Sequence, residues 1–355
     1  MNTCFFGSYQ RTYSRNKILL DGVQKNNVKI IHCNSHHGFF FQRYLDLIKT
    51  FLRNVNEIDA IFVAFPGQLD VPLGWVLGKL TRKPVVFDMY YSMYDTFVFD
   101  RKSFAPNSFR GLTYYYIDKL AATLADHVIT DTSAHANHYS KLFKIPRRKF
   151  TRIFVGGDDA TFCLPKKFAT KKNLTIEFHG MFSRSQGAEY FVQAAKILEQ
   201  ESNLKFLLIG DSTYYLLPKE KVNKLRIKKL NYMGEVSLSR LAKLVSEADI
   251  CIGHLGNTDK AKNAISNKTF QAIFSGKPVL VMDSQANREL FTNGVSALFV
   301  RPGDSGDLAQ KIRWLSKSQK LRNNLVRNTN KLLPMLTNKH LASQLIQVFT
   351  NLIQK

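Results

Sequence analysis

The sequence predicts an α/β protein of two doubly wound domains, each with a parallel β-sheet, facing each other across a cleft. Three observations lead to this prediction. The chain has 355 residues, more than a single core usually organises. Short apolar runs alternate with segments of helical spacing, which is typical of parallel sheets covered by helices on both faces. The alternation pauses once, at GGDDATFCLPKKFATKKN, a stretch with the composition of a linker.

The strand-like runs divide evenly around this pause. Those before it are, in order, TCFFG, VKIIHCN, AIFVAFP, PVVFDM, HVITDT and RIFVG. Those after it are LTIEFHG, LKFLLIGD, LNYMGEV, DICIGHLG, KPVLVMD and SALFVRPGD. From Leu315 onward the pattern is helical only. We therefore predict an amino-terminal domain over residues 1–165, a carboxyl-terminal domain over 166–334, and a last helix over 335–355 that is free to pack back on the first domain.

Composition restricts the partners. A net charge of +24 draws a protein toward nucleic acid, anionic lipid or phosphorylated small molecules. A nucleic-acid binder should gather its cations in one stripe interleaved with aromatic residues. Here the cations are spread over both halves of the chain, so we predict no nucleic-acid partner.

The cysteines and the apolar runs bear on location. The four cysteines stand alone, without the spacing of a metal site, as is typical of a reducing cytosol. No apolar run reaches the roughly 18 residues of a membrane-spanning helix. The first residues, MNTCFFGSYQ, also lack the charged start and apolar core of a signal peptide. These features predict a cytoplasmic protein without a metal site.

Ligands of such sheets bind beyond the carboxyl ends of the strands, so the loops there carry the functional argument. In the first loop, FFGSYQRTYSRNK, Gly7 ends a strand and Ser14 is a candidate N-cap. Arg15 then falls in the first helical turn, where the backbone dipole attracts anions. A single glycine is a weak signal, and a plain strand-to-helix turn explains it equally well.

The second loop, EFHGMFSRSQGAEYF, contains Gly180 where the strand ends and Gly187 where a helix opens. Arg184 lies between them and could reach an anion at the helix start. His179 could contact a ligand, but a histidine that ends a buried strand is more often a structural residue with satisfied hydrogen bonds.

The third loop ends in SNKTFQAIFSGKPVLVMD and follows Gly256. Lys268 falls in the first turn of the predicted helix, where a cation costs about 0.3–1 kcal/mol. A phosphate bound beside Asn267 at the helix start would explain this lysine, which we expect on the helix surface. Gln271 shares its helix face and could hydrogen-bond a sugar hydroxyl.

The order of these motifs resembles the donor domain of the retaining GT-B glycosyltransferases of the family-4, or group 1, type. The resemblance rests on the three loops and on LLIGD, NYMGEV, ADICIG, NKTFQAIFSGKPVLV and ANREL in the second half. In the first half, ADHVITDTSAHANHY and VGGDDATFCLP resemble that family's strand and hinge segments. The resemblance covers essentially the whole chain and implies two Rossmann-like domains.

The resemblance implies a retaining transfer from a nucleotide-diphosphate sugar, which is a co-substrate rather than a resident cofactor, without a metal. It assigns catalysis to Lys268 and Glu289, and Asp88 joins them because it ends a strand where a cleft-facing residue belongs. The donor would be bound by Gly7, Arg15, Gly180, Arg184, Gly187, Gly256, Asn267 and Gln271.

Some positions depart from the family pattern. Asn263 and Gln271 stand where the family has two glutamates, and the family's usual arginine and lysine fall on Met181 and Gln186. Arg184 and Lys268 are candidates to compensate. A catalytically degenerate scaffold of the same fold therefore stays open as an alternative.

The acceptor side is read from the segment Phe39–Asn54, an amphipathic helix with Arg43, Lys49 and Arg53. Such a helix can lie on an anionic membrane surface, although an ordinary core-packed helix has the same pattern. The family's acceptors imply a glycan or polyprenyl-linked acceptor, in surface polysaccharide or glycolipid biosynthesis, at the inner membrane face.

Overall fold

The computed structural model describes residues 1–164, 173–210 and 219–354. The chain forms two compact units, one of Met1–Gly156 with Met335–Lys355 and one of Gly157–Pro334. The boundary predicted at residue 165 lies outside the described residues, as does most of the second half of the predicted linker. The first unit thus contains both the amino-terminal half and the terminal segment.

The first unit is built on a parallel sheet. Its strands are β1 (Asn2–Gly7), β2 (Lys29–Asn34), β3 (Ala60–Val63), β4 (Val85–Asp88), β5 (His127–Thr130) and β6 (Phe150–Arg152). Their order across the sheet is β2-β1-β3-β4-β5-β6, and all pairings are parallel. Five of the predicted runs coincide with strands; β6 ends at Arg152, where the predicted run RIFVG begins.

Helices cover both faces of this sheet. They are α1 (Ser14–Lys25), α2 (Phe40–Arg53), α3 (Val71–Thr81), α4 (Phe109–Leu124), α5 (Ser133–Phe143) and α14 (Asn338–Ile353), with short helical turns at Val55–Glu57, Asp95–Asp100 and Arg147–Lys149. Successive strand residues point to opposite faces. Phe6 lies in one core cluster with residues of α2, α3, α4 and α5. Phe5 packs on Phe62, which contacts Phe349 of α14 on the opposite face.

The terminal helix α14 packs tightly against α1. A Cβ atom at Gly22 would lie 2.1 Å from the carbonyl oxygen of Asn338, so only glycine allows this approach. Asn26 also donates its side-chain amide to the Lys339 carbonyl at 2.8 Å. The end of the chain is therefore part of the first unit.

The second unit repeats the architecture. Its strands are β7 (Leu174–His179), β8 (Leu204–Ile209), β9 (Leu230–Met233), β10 (Ile250–Ile252), β11 (Val279–Met282) and β12 (Leu298–Val300). Their order is β12-β11-β10-β7-β8-β9, again wholly parallel. The predicted α/β class with two doubly wound parallel sheets is confirmed.

The helices of the second unit position its loops. They are α6 (Ala188–Ile197), α7 (Lys219–Lys224), α8 (Leu238–Glu247), α9 (Asp259–Asn263), α10 (Asn267–Phe274), α11 (Gln285–Arg288), α12 (Ser305–Lys317) and α13 (Gln319–Asn330), followed by a turn at Leu333–Leu336. The predicted second and third loops follow β7 and β10, which are adjacent strands. Because parallel strands end at the same edge of a sheet, the two loops meet there.

Candidate functional site

The first loop leaves β1 at Gly7, whose φ of +115° is a backbone conformation that favours glycine. The next amide, on Ser8, donates to Asp70 Oδ2 at 2.9 Å. A guanidinium nitrogen of Arg43 lies 3.1 Å from the other carboxylate oxygen. Burial raises the pKa of Asp70, against the opposing effects of the Ser8 amide and Arg43. The amide that follows Gly7 is therefore committed to a side chain of the protein.

The structure corrects the roles predicted for Arg15 and Asp88. Both side chains are 0% exposed and form a two-pronged ion pair, with Nε to Oδ2 at 2.9 Å and Nη2 to Oδ1 at 3.2 Å. Arg15 Nη1 also donates to the carbonyl oxygens of Ile153 and Phe154. The helix begins at Ser14 as expected, but its N-cap is Tyr13. Arg15 and Asp88 neutralise each other, so neither can contact a ligand in this arrangement.

Two buried carboxyl groups near the ends of β4 and β5 were missed by sequence reasoning. Asp118 of α4 accepts from the Ser92 hydroxyl at 2.7 Å and from the Tyr94 amide at 2.8 Å. Burial raises the pKa of Asp118 to about 7. Asp131 contacts His135 Nδ1 at 2.5 Å. The available signal was a lone aspartate within the apolar run YYYIDKLAA, which is unusual unless the carboxyl group is hydrogen-bonded.

In the second unit the glycines of the second and third loops allow close backbone packing. A Cβ at Gly187, the left-handed N-cap of α6, would lie 2.6 Å from the Gly256 amide nitrogen. A Cβ at Gly256 would lie 2.0 Å from the carbonyl oxygen of Arg184. The predicted glycines are thus brought together, but by loop-on-loop packing that needs no ligand.

Lys268 is the unusual side chain of this edge. It lies in the first turn of α10, as predicted, but it is only 5% exposed, which corrects the expectation of a surface residue. Its ammonium nitrogen donates to Gln186 Oε1 at 2.9 Å and sits 3.5 Å from the centre of the Phe178 ring. Burial lowers the pKa of Lys268 to about 7, although the Glu177 carboxylate opposes this effect. The ammonium group of Lys268 thus contacts an apolar ring and an amide, whereas a buried cation usually contacts an anion.

Gln186 and Gly180 complete the surroundings of this lysine. Gly180 has a φ of +133°, and a Cβ there would lie 2.4 Å from Gln186 Oε1. The side chain of Gln186 therefore crosses the glycine to reach Lys268. The ammonium group of Lys268 therefore lies at the second loop, beside Gln186, where the family that the sequence resembles usually has a lysine.

Gln271 lies one turn further along α10 and contacts the histidine that ends β7. His179 Nε2 is 2.7 Å from Gln271 Oε1, and His179 Nδ1 is 2.7 Å from Glu177 Oε1. His179 and Glu177 are buried, whereas Gln271 is half-buried. This geometry fits the interpretation of His179 as a structural residue with satisfied hydrogen bonds. One of its two partners, Gln271, is however a predicted ligand contact.

The remaining predicted residues lie around the same edge. Asn267 is the first residue of α10, and Ser266 is its N-cap. Arg184 is half-buried in the second loop; burial raises the pKa of the nearby Glu189, and the charge of Arg184 opposes this effect. Glu289 caps the end of α11, in the loop that follows β11, and is half-buried. Among the described residues, no group of three or more His, Cys, Asp or Glu side chains is arranged to hold a metal ion.

Comparison with known proteins adds a family match. Residues 164–332 match the family described as Glycosyl transferases group 1. The chain is 26% identical over 189 residues to the N,N'-diacetylbacillosaminyl-diphospho-undecaprenol α-1,3-N-acetylgalactosaminyltransferase of Campylobacter jejuni, covering 51% of this chain and 45% of that protein. It is 22% identical over 273 residues to the 2-deoxystreptamine N-acetyl-D-glucosaminyltransferase of Niallia circulans, covering 72% and 66%. The chain therefore spans less than two thirds of the length of either relative.

Solved structures agree on the fold. The Anabaena protein HepE in complex with UDP superposes with a TM-score of 0.73 at 14% identity, covering 99% of this chain and 100% of that one. At this identity the likeness concerns the fold alone. The two parallel sheets are those of the GT-B architecture.

Proposed function

We propose that this chain, whose residues 164–332 match the group 1 glycosyltransferases, transfers a sugar from a nucleotide-diphosphate sugar with retention of anomeric configuration. The donor would lie at the carboxyl edge of the second sheet, against α10 and the loop after β7. The acceptor would be a hydroxyl group of a glycan or of a lipid-linked sugar.

The observation that carries this proposal is the environment of Lys268. Among the described residues no carboxylate makes a hydrogen bond with this buried ammonium group, and burying such a cation is costly, as the lowered pKa of Lys268 expresses. A diphosphate at the start of α10 would supply the missing negative charge. The helix dipole and the amides of its first turn favour an anion at the same place. Binding of a diphosphate would therefore explain why this lysine is buried despite the cost.

The proposed chemistry uses these groups on the leaving diphosphate. The bond from the anomeric carbon to the β-phosphate oxygen breaks, and the acceptor oxygen bonds to that carbon from the same face. The acceptor's proton passes to the departing phosphate. Lys268, assisted by Arg184, would stabilise the charge that develops on the phosphate, and prearranged charges of this kind are an effective catalytic device. Glu289 is proposed to contact the donor from the end of α11.

The proposed setting is the synthesis of a surface polysaccharide or glycolipid at the cytoplasmic face of a membrane, because nucleotide sugars are made in the cytosol. The printed name of the Campylobacter relative includes a diphospho-undecaprenol group, which supports a lipid-linked acceptor here.

Transfer and donor hydrolysis assayed with a panel of nucleotide sugars, in excess EDTA, test the proposed function. We expect one donor to be consumed and the chelator to have no effect, since Lys268, Arg184 and the start of α10 supply the positive charge. Consumption of no donor would favour the degenerate scaffold. Loss of activity in EDTA with recovery on adding manganese or magnesium would contradict the proposed chemistry.

A membrane surface is proposed as a partner because α2, α3 and α4, whose buried residues share one core cluster, carry exposed apolar side chains. Phe41 is 83% exposed, Leu80 is 77% exposed and Phe109 is 87% exposed. We define the α2–α4 face as the exposed side chains Phe41, Leu45, Leu52, Val76, Leu80, Phe109, Leu112, Tyr116 and Leu120. On α2 and α4 these residues recur every three, four or seven positions, so each helix presents an apolar stripe outward.

The charges of these helices suit an anionic bilayer. Their sequences contain Arg43, Lys49, Arg53, Lys79, Arg110 and Lys119 against Asp46 and Asp118. Asp118 is buried. Arg43, predicted as a membrane contact, is held by Asp70 instead, whereas Lys49 and Arg53 are exposed. Within the described residues no helix combines the length and apolar character needed to span a bilayer.

We expect the protein to bind phosphatidylglycerol-rich vesicles at low salt, to prefer them to neutral vesicles, and to be largely released at high salt. The electrostatic attraction must weaken because the screening length falls to about 3 Å at 1 M salt. Co-sedimentation with vesicles measures this. Equal binding to neutral and anionic vesicles, or binding to neither, would contradict an anionic membrane partner.

Variants separate the α2–α4 face from the general charge of the chain. Phe41→Ser with Phe109→Ser should lower vesicle binding, since both rings leave the bilayer-facing stripe. Trp314→Ser is the matched control, because Trp314 is an exposed aromatic residue of the second unit. An equal loss in the control would assign binding to surface apolarity in general.

A further inference from the structure

His179 holds one end of the Gln271 carboxamide and leaves the other end outward. Nε2 of the buried imidazole is 2.7 Å from Gln271 Oε1. On its other side, Nδ1 is 2.7 Å from Glu177 Oε1. Gln271 is half-buried and next in line after Lys268 on the same face of α10. Whichever amide end faces outward is the one that a ligand at this edge meets.

The number of protons on His179 determines which end that is. A neutral imidazole has one N–H group and one bare nitrogen, whereas an imidazolium has two N–H groups. With oxygen atoms on both sides, only the imidazolium satisfies both partners. A neutral His179 with its proton on Nδ1, toward Glu177, needs the NH2 end of Gln271 at Nε2. The two amide orientations have almost the same shape, so the site accommodates either.

Charges from several segments act on this balance. The Glu177 carboxylate on β7 favours the imidazolium. The same carboxylate interacts with the ammonium group of Lys268 on α10, and the charge of Lys277 acts on Cys251 of β10. Burial, with Glu177 nearby, raises the pKa of the Cys251 thiol well above its usual range, so that thiol stays uncharged. Glu177 is therefore the carboxylate in direct contact with His179, and Lys268 is a cation that acts on that carboxylate.

We propose that the Glu177–His179 pair sets which end of the Gln271 carboxamide meets the nucleotide sugar. With His179 neutral, position 271 presents a carbonyl oxygen and accepts a hydrogen bond from a ligand hydroxyl. With His179 protonated, position 271 presents an NH2 group and donates. His179 is thus a positioning residue that acts through Gln271. The ligand in this inference rests on the proposed function, but the coupling of the two side chains belongs to the free protein.

Nitrogen NMR of the full chain labelled at histidine tests the coupling without a ligand. In Gln271→Glu both ends of the side chain are acceptors, and the added charge should keep His179 doubly protonated to a pH about one unit higher. Gln193→Glu is the matched control, because Gln193 is exposed on α6 and its new charge should move no histidine signal. If no histidine signal shifts its titration in Gln271→Glu, the inference is overturned.

Calorimetry with UDP and with pyrophosphate tests the consequence for binding, from about pH 5 to pH 8, where an imidazole changes charge. The ratio of UDP affinities between the wild type and Gln271→Glu should change about fivefold over this range, as one exchanged hydrogen bond allows. For pyrophosphate, which has no sugar hydroxyl, the ratio should change less, because only the charges of residue 271 and His179 then act on the ligand. UDP binding with a constant ratio would overturn the inference and leave the proposed function intact. If neither UDP nor any other nucleoside diphosphate binds, the proposed function fails, while the NMR titration still decides the coupling.

Discussion

Replacing Arg15 with methionine is expected to lower the free energy of unfolding by about 3–5 kcal/mol, the usual cost of leaving a buried charge without its partner. Asp88 would keep its carboxylate at 0% exposure while losing both guanidinium hydrogen bonds. The carbonyl oxygens of Ile153 and Phe154 would lose a donor as well. Urea unfolding followed by circular dichroism measures the change.

Two further variants show whether the ion pair is the cause. Lys17→Met lies on the same helix and breaks only a half-exposed pair with Asp21, so a loss of less than about 1 kcal/mol is expected. Adding Asp88→Leu to Arg15→Met should recover much of the stability, because an apolar pair replaces an orphaned charge. A single variant Arg15→Met as stable as Lys17→Met would contradict the buried pair.

Arg15 and Lys268 show where sequence reasoning ends. Each is a cation in the first turn of a helix that follows a strand, and the sequence alone assigns both to a bound phosphate. In the structure Arg15 is neutralised by Asp88, which lies 73 positions away in the chain. Lys268 has an aromatic ring and an amide as its contacts instead. Only the fold reveals which cation already has an anion.

The fold itself was predictable because it depends on patterns of short range. Apolar runs of strand length and helical spacing between them specify parallel sheets whatever the loops contain. The glycines of the second and third loops have a structural reason of their own, since Gly187 and Gly256 permit two backbones to touch. The pairing of His179 with Gln271 joins residues 92 positions apart, and no local pattern records it.

Replacing Lys268 with methionine is expected to weaken the binding of a nucleoside diphosphate by about 1–3 kcal/mol, or about 5- to 150-fold in Kd. Methionine retains an unbranched apolar stem beside the Phe178 ring and removes the charge. Calorimetric titration with the nucleoside diphosphate measures the change. Lys243→Met, at an exposed lysine of α8, is the control and should bind as the wild type does. Unchanged affinity in Lys268→Met would remove this residue from the site.

The same lysine should make stability and ligand affinity respond to pH in opposite directions. Burial lowers the pKa of Lys268 to about 7 in the folded chain, whereas a lysine in an unfolded chain titrates near about 10.4. Between these values the unfolded chain binds more protons. The contribution of Lys268 to the free energy of unfolding therefore rises with pH by about 1.4 kcal/mol per unit and levels off beyond this window. Only the protonated lysine attracts a diphosphate, so affinity should fall over the same range.

The difference between the wild type and Lys268→Met isolates these effects, since all other titrating groups are shared. From about pH 7.5 to pH 9 the wild type should gain stability relative to the variant, while its advantage in nucleotide affinity shrinks. Urea unfolding and calorimetry at each pH give the two curves. Parallel curves for the two proteins would mean that Lys268 stays charged throughout, and that its ammonium group is already paired in the free protein.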